Sequence, residues 1–171
     1  MRLVKLVLIS IVVLFGVTTF VFILFPSQIR VSRVITVAAS KIRIAQTIND
    51  FSTWDKWNQF IRGPGLTNKS ISSPSNGVGA FINADQARIT NSGTSRDSIR
   101  TRWQQPNGKG FYSSFNLVQQ EGNKVVIQWY FDFQSKWYPW EKLGAMFYDK
   151  QMGPLMEESL INLKHLVENN Y

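Results

Sequence analysis

The hydrophobic and polar positions of this chain fall into three patterns, and each predicts a different kind of element. The first is continuous. From Leu6 to Phe25 no residue is charged, and only Ser10, Gly16, Thr18 and Thr19 interrupt Val, Leu, Ile and Phe. Twenty helical residues rising about 1.5 Å each span roughly 30 Å, the thickness of a bilayer's hydrocarbon, and a helix satisfies its own backbone hydrogen bonds there. Pro26 ends the run. The second pattern has period 2. Ile29, Val31, Arg33, Ile35 and Val37 share one face of a strand, with Arg33 as the odd member. Further strand segments follow near Leu66 to Ser72, Val78 to Ala84, Ala87 to Asn91, Ser98 to Trp103, Gly110 to Gln119 and Lys124 to Gln134, separated by Gly, Asn, Asp or Pro signals. Pro106-Asn107-Gly108 and Glu121-Gly122-Asn123 read as reversing turns, so these segments are antiparallel neighbours. The third pattern has period 3.6. Ser40 is placed to cap a helix reaching about Phe51, with Ile44, Ile48 and Phe51 on one side, and a short helix carrying Trp54 and Trp57 follows. At the end of the chain Met152, Leu155, Met156, Leu160, Leu163, Leu166 and Val167 recur at helical spacing, with Glu157, Glu158, Lys164 and Glu168 opposite. Gly153-Pro154 is read as lying early in that helix, where proline costs little.

This order predicts two domains in the broad sense: residues 1–26 as a transmembrane anchor and residues 27–171 as one α+β unit with its own core. In the last strand Val125, Ile127, Trp129, Phe131 and Phe133 share a face that must be covered, and the closing helix is the available partner. A cleaved secretory signal would share the positive start provided by Arg2 and Lys5, but the apolar run is longer than usual and no A-x-A-like site follows it. A retained single-pass anchor in the cell membrane fits better. Arg2 and Lys5 favour an inside N-terminus, which puts the folded part outside the cytoplasm. Arg30, Arg33, Lys41 and Arg43 argue the reverse but weigh less because they belong to a folding domain.

Charge and composition change this picture only modestly. The chain has 19 Lys plus Arg, 11 Asp plus Glu and no cysteine, for a formal charge of +8. The absence of cysteine excludes a lipoprotein anchor, a disulfide framework and a Cys-based metal site. The basic residues are scattered, and no basic helix or RNP-like strand is present, so nucleic acid is not an expected partner. Anionic lipid headgroups are a compatible one, because a tether would hold the domain near them.

The chain resembles the START-like SRPBCC superfamily, the polyketide cyclase/dehydrase and lipid-transport proteins with the Bet v 1-like helix-grip fold. The resemblance is carried by Val31-Ser32-Arg33-Val34-Ile35-Thr36-Val37-Ala38-Ala39, by Ile48-Asn49-Asp50-Phe51 through Trp54-Asp55-Lys56-Trp57-Asn58, and by Met156-Glu157-Glu158-Ser159-Leu160-Ile161-Asn162-Leu163-Lys164 with Glu168. Ser40 stands where the family often has proline, and Ser159 where it often has glycine. The resemblance implies a curved antiparallel sheet wrapped around a long C-terminal helix, with a cavity between them. It specifies architecture better than activity.

The residues themselves offer little for catalysis. His165 has the helical phase of the polar side. Glu157 and Glu158 are adjacent on a helix and do not converge, and Asp132 lies on the strand face opposite the aromatic residues. No metal-ligand cluster or Gly-rich phosphate loop is present, and no cofactor is expected. Binding is the better expectation. Trp103, Phe115, Trp129, Phe131 and Phe133 on the sheet, facing Leu155, Met156, Leu160 and Leu163 on the helix, are the candidate lining of an apolar ligand pocket, against the alternative that they fill an ordinary core. The segment from Lys136 to Met152, with Trp137, Tyr138, Trp140, Met146, Phe147 and Tyr148, is read as a loop over the pocket mouth, with an interfacial membrane contact as the alternative. The expected function is therefore a membrane-tethered binder or carrier of a lipid or other hydrophobic small molecule. A sensory or interaction module and a cyclase-like enzyme are the alternatives.

Overall fold

The computed structural model describes the backbone of residues 2–23, 28–63, 66–108, 110–134 and 139–169, and their side chains except for 22–23 and 139–146. The apolar run forms α1 (Arg2–Ile23), and every position from Arg2 to Val17 is exposed, so the helix projects clear of the rest. Its span Arg2–Val21 is long and apolar enough to cross a membrane. Then come β1 (Gln28–Val37), α2 (Lys41–Asn49), a 3₁₀ turn (Phe51–Thr53), α3 (Trp54–Trp57) and α4 (Gln59–Arg62). Six more strands follow: β2 (Ser70–Ile71), β3 (Phe81–Asn83), β4 (Arg88–Thr94), β5 (Ser98–Gln104), β6 (Gly110–Gln119) and β7 (Val125–Gln134). The chain closes with α5 (Pro139–Glu168).

The strands make one seven-stranded antiparallel sheet in the order β1-β7-β6-β5-β4-β3-β2. The two turns read from the sequence connect β5 to β6 and β6 to β7, and in the second Gly122 and Asn123 take φ of 69° and 57°, a conformation that these two residue types tolerate best. The first strands of the expected meander are shorter than their sequence suggests. β2 keeps only two residues, because Asn68 at φ 51° breaks its approach, and β3 starts only after Gly77 and Gly79 have turned the chain at φ 85° and 91°. β4 instead runs past Asn91 through a bulge between Asn91 and Gly93, an irregularity that sharpens local twist.

Ser40 caps α2 as expected, its Oγ accepting from the Arg43 N–H at 3.4 Å. Asp50 caps the following 3₁₀ turn, accepting from the Ser52 N–H at 3.0 Å and the Ser75 hydroxyl at 2.7 Å. Two expectations about the last helix need correction. It begins at Pro139, not near Met152, so Pro139 takes the helix's first position and Pro154 lies deep inside it. The missing Pro154 N–H leaves the Lys150 carbonyl without its helical donor, and Lys150, Gln151 and Pro154 are exposed, so solvent meets the carbonyl at little cost. The part of the expected mouth loop from 139 to 152 is accordingly helical. Lys136, Trp137 and Tyr138 lie outside the described residues, as do the side chains of Trp140, Lys142 and Met146.

The second correction concerns Leu155, which the helical stripe assigned to the inner face. It is 38% exposed, whereas Met156, Leu160, Leu163 and Val167 are buried. The buried positions recur at intervals of four, three and four, and Leu155 falls one residue outside that stripe. Inward faces of the sheet match the period-2 reading throughout: Ile99, Trp103, Phe115, Leu117, Val125, Ile127, Trp129, Phe131 and Phe133 join one core with the helix residues. This is the helix-grip architecture.

Candidate functional site

The odd member of β1 has a partner. Arg33 is on the inner face of an edge strand, where β1 borders α5, and its guanidinium reaches the helix. Nη1 donates to Asp149 Oδ1 at 2.8 Å and Nε to Glu157 Oε1 at 2.6 Å. Both ion pairs straddle Gly153, and a Cβ built there would lie 2.1 Å from Arg33 Nη2. The glycine leaves the room that the arginine occupies. The hydrogen bond from Arg33 holds the Asp149 carboxyl below its ordinary range, and the same contact raises the guanidinium. At its other end α5 is tied back by Glu168, whose Oε1 accepts from the Ala38 N–H at 2.7 Å. The last helix is thus pinned to β1 near both ends of its second half.

Inside the grip, the space between sheet and α5 is taken by side chains from α3 and α4. Trp54 and Trp57 are fully buried, with ring centroids 5.3 Å apart. Trp57 packs edge-on to Phe115 and Trp129, which stack on each other at 4.9 Å. Phe60 reaches Trp103, Trp129 and Phe131 at 5.6–5.8 Å. The paired tryptophans were visible in the sequence as a helix. Their role as filling was not, because nothing local says on which side of the sheet that helix docks.

Most of the ring nitrogens are satisfied. Trp54 Nε1 donates to the Ile48 carbonyl at 2.9 Å, Trp129 Nε1 to Ser113 Oγ at 2.6 Å and Trp103 Nε1 to Thr101 Oγ1 at 3.1 Å. Trp57 Nε1, Asn58 Nδ2 and Asn162 Nδ2 are buried without a hydrogen-bond partner among the described residues. Ser159, at the position where glycine is common, is buried and joins the two helices: its Oγ accepts from the Gln59 N–H at 2.8 Å and donates to the Leu155 carbonyl at 2.6 Å.

The candidate lining residues therefore divide by depth. Phe115, Trp129, Phe131, Met156, Leu160 and Leu163 come together but are packed in the interior, and none of them borders a described opening. Trp103 and Phe133 do border one. Leu155 is apart from the rest. Two openings flank Phe111 at one end of the grip. One of about 240 Å³ is lined by Phe60, Leu66, Gln86, Ala87, Trp103, Gln104, Gln105 and Phe111. The other, about 290 Å³, lies between the sheet and α5 and is lined by Gln105, Gly110, Phe111, Phe133, Gln134, Tyr148, Gln151 and Met152. Phe111 and Phe133 approach to 4.9 Å and Phe133 and Tyr148 to 4.5 Å, so an aromatic path leads from the packed interior to the exterior.

Phe111 and Phe60 are mouth residues that the sequence reading did not select, whereas Tyr148 falls in the segment it placed over the mouth. Phe111 alone had a usable signal, since it shares the period-2 face of Ser113, Phe115 and Leu117. The polar groups in the two openings are the amides of Gln86, Gln104, Gln105, Gln134 and Gln151 and the Tyr148 phenol, which can hydrogen-bond a ligand's polar end. A third cleft of about 280 Å³ runs over the outer sheet face past Arg100, Tyr112, Ser114 and Asp132. There Arg30 forms a two-pronged ion pair with Asp132, at 2.7 and 3.0 Å. Asp132 is thus a surface partner, on the face the alternation assigned it. Among the described residues no group of His, Asp and Glu is arranged to hold a metal ion.

Comparison with known proteins accords with this geometry. No curated protein matches the chain. Solved structures match its fold at low identity. A truncated norcoclaurine synthase from Thalictrum flavum is 13% identical, with a TM-score of 0.62 over 84% of this chain and 96% of that one. A START superfamily protein from Mycobacterium smegmatis is 17% identical, with a TM-score of 0.57 over 83% and 99%. The di-domain ARO/CYC StfQ from the steffimycin biosynthetic pathway is 12% identical, with a TM-score of 0.61 over 83% of this chain and 51% of that one. The family model for polyketide cyclase/dehydrase and lipid transport matches residues 28–168, from the first residue of β1 to the last of α5. On that match and this architecture, the chain belongs to the polyketide cyclase/dehydrase and lipid transport family.

Proposed function

We propose that this protein is a membrane-tethered binding module for a lipid or other hydrophobic small molecule, with α1 as the anchor and residues 27–171 as the binding domain. The observation that carries the reading is the pair of openings on either side of Phe111, walled by Phe60, Trp103, Phe133 and Met152 and edged with glutamine amides. An apolar wall with a few hydrogen-bonding groups at its rim suits an amphiphile whose tail enters and whose head stays outside. The family's scope includes lipid transport, which supports the same class of ligand. Depth is limited, because Trp54, Trp57 and Phe60 already occupy the interior that a larger guest would need. The occupant is seated at the mouth, with Phe111 as the side chain that moves to enlarge it.

The test is titration of the full chain in detergent with an environment-sensitive hydrophobic fluorophore, together with mass spectrometry of whatever copurifies. Saturable binding that a lipid competes away supports the reading. A folded chain that neither binds the probe nor retains a hydrophobic molecule overturns it. Arg2 and Lys5 favour an inside N-terminus, which supports an orientation with the domain outside the cytoplasm. Digestion of the domain by protease added to intact spheroplasts is the expected result, and full protection reverses the orientation.

A further inference from the structure

The strand register fixes which end of the grip is open. β1 starts at Gln28, which pairs with Gln134, and Tyr112 pairs with Asp132, so Gly110 comes level with Gln134. Gly110 pairs with Gln104, Gln104 with Arg88 and Arg88 with Asn83. One edge row of the sheet therefore runs Gln28, Gln134, Gly110, Gln104, Arg88, Asn83. Gln134, Gly110 and Gln104 from this row line the two apolar openings, and Tyr148, Gln151 and Met152 complete the second from α5. The opposite edge row, through Val37, Val125 and Gln119, is shut: Val37 and Val125 are fully buried, and Glu168 closes onto Ala38 beside them.

The tether enters at the open end. α1 stops at Ile23 and β1 starts at Gln28, so only residues 24–27 join them. At about 3.6 Å per residue the five Cα steps reach at most roughly 18 Å. α1 touches α5 where it leaves the domain, and its half-buried positions Thr18 and Thr19 are near its C-terminal end. The part of α5 beside the opening presents Phe147, 57% exposed, and the exposed Lys150, an aromatic and a cation of the kind that suit headgroup depth.

We propose that the mouth of the grip is held facing the bilayer that carries α1, so that the hydrophobic occupant passes between lipid and protein without crossing bulk water. The partner surface is the lipid headgroup layer, and the short connection after α1 enforces the contact. This inference rests on the anchor and the mouth proposed above, and it adds their relative orientation.

The chain has no cysteine of its own, so single labelling sites are available. The full-length Gln105→Cys chain, labelled at the mouth, and the Glu121→Cys chain, labelled at the closed end, are reconstituted in phosphatidylcholine–phosphatidylglycerol vesicles containing headgroup-spin-labelled lipid. The expected result is several-fold stronger quenching of the Gln105→Cys label than of the Glu121→Cys label. A long Gly/Ser insertion between residues 25 and 26 is expected to bring the two to the same level. Equal quenching without the insertion, in a chain that resists carbonate extraction and whose unlabelled parent binds the fluorophore, overturns the orientation alone. A chain that carbonate removes from the vesicles overturns the anchor and the orientation with it.

Discussion

The packed interior of the grip and its open end are built from similar residues and behave differently. In the packed interior, Trp54, Trp57, Phe115 and Trp129 are all at or near zero exposure, and the two α3 tryptophans lie against the sheet rings of Phe115 and Trp129. At the open end, Phe60, Trp103, Phe111 and Phe133 are as aromatic but border openings of about 240 and 290 Å³. The difference is not hydrophobicity but cover. α3 and α4 dock over the middle of the sheet and stop at Arg62, and the described cover at the mouth is one turn of α5 with Tyr148, Gln151 and Met152. An aromatic surface becomes core where a second layer reaches it and stays a candidate binding surface where the layer ends.

Substitutions that act differently in the two regions test this contrast, and the largest effect belongs to the interior. Trp129→Ala removes a stacked ring and its bond to Ser113, and truncations of this kind cost about 3–5 kcal/mol, so urea denaturation should show an unfolded or barely stable chain. The orphaned Trp57 nitrogen refines the comparison. Trp57→Phe is expected to cost about 1–2 kcal/mol less than Trp129→Phe, because only the second breaks a hydrogen bond. Equal losses in the two variants would show that an interior water serves Trp57.

At the mouth the expected effect is on binding. Ala87→Trp or Met152→Trp fills an opening without entering the packed interior, and fluorophore affinity should fall about tenfold, some 1.4 kcal/mol, while the urea midpoint stays near that of the parent chain. Unchanged affinity would move the binding place elsewhere. A bulky residue at Phe131 or Leu163 is a poorer test, since both are fully buried and overpacking would unfold the chain.

A smaller effect is expected where β1 meets α5. Arg33→Ala should cost about 1 kcal/mol, a modest value because both carboxylate partners are largely solvated. Gly153→Ala placed in that background should return roughly 0.5–1 kcal/mol through helix propensity, whereas in the parent chain the new methyl displaces the Arg33 guanidinium and the gain disappears. Differential scanning calorimetry of the four chains checks the coupling. The pH dependence is the smallest signal. Burial pushes the Asp50 carboxyl up, but its hydrogen bonds from Ser52 and Ser75 more than offset this, and Asp50, like Asp149, is held below the ordinary carboxylate range. A lowered folded value means that the stabilisation is complete above the unfolded pKa of about 4 and fades as the pH falls through the folded one. Urea midpoints should therefore decline only in the acid range, and Arg33→Ala should remove the Asp149 share of that decline.

Much of this molecule was legible in one dimension, and the residues that were not share a cause. The alternation from Val125 to Phe133 named the buried face correctly because period 2 is a property of the strand itself. Ser40 as a cap, Gly122-Asn123 as a turn and Leu6 to Phe25 as an apolar helix are likewise local, fixed by backbone geometry and side-chain chemistry within a few residues. Leu155 was misplaced because a helical stripe has soft edges, and only packing against β1 and α3 decides which edge is wet. Arg33 looked like an error in a hydrophobic face until α5 supplied Asp149, Glu157 and the space at Gly153, all more than a hundred residues away in the chain.

By itself the sequence determined the elements, their order, the apolar faces and the family resemblance, since each depends on short-range periodicity or on spacing along the chain. Only the tertiary structure decided that Trp54, Trp57 and Phe60 fill the grip, that the opening lies beside Phe111, and that this opening shares an end with the start of β1. Those are matters of which layer covers which part of a sheet and in what register, and such contacts between distant segments leave no periodic trace in either segment alone.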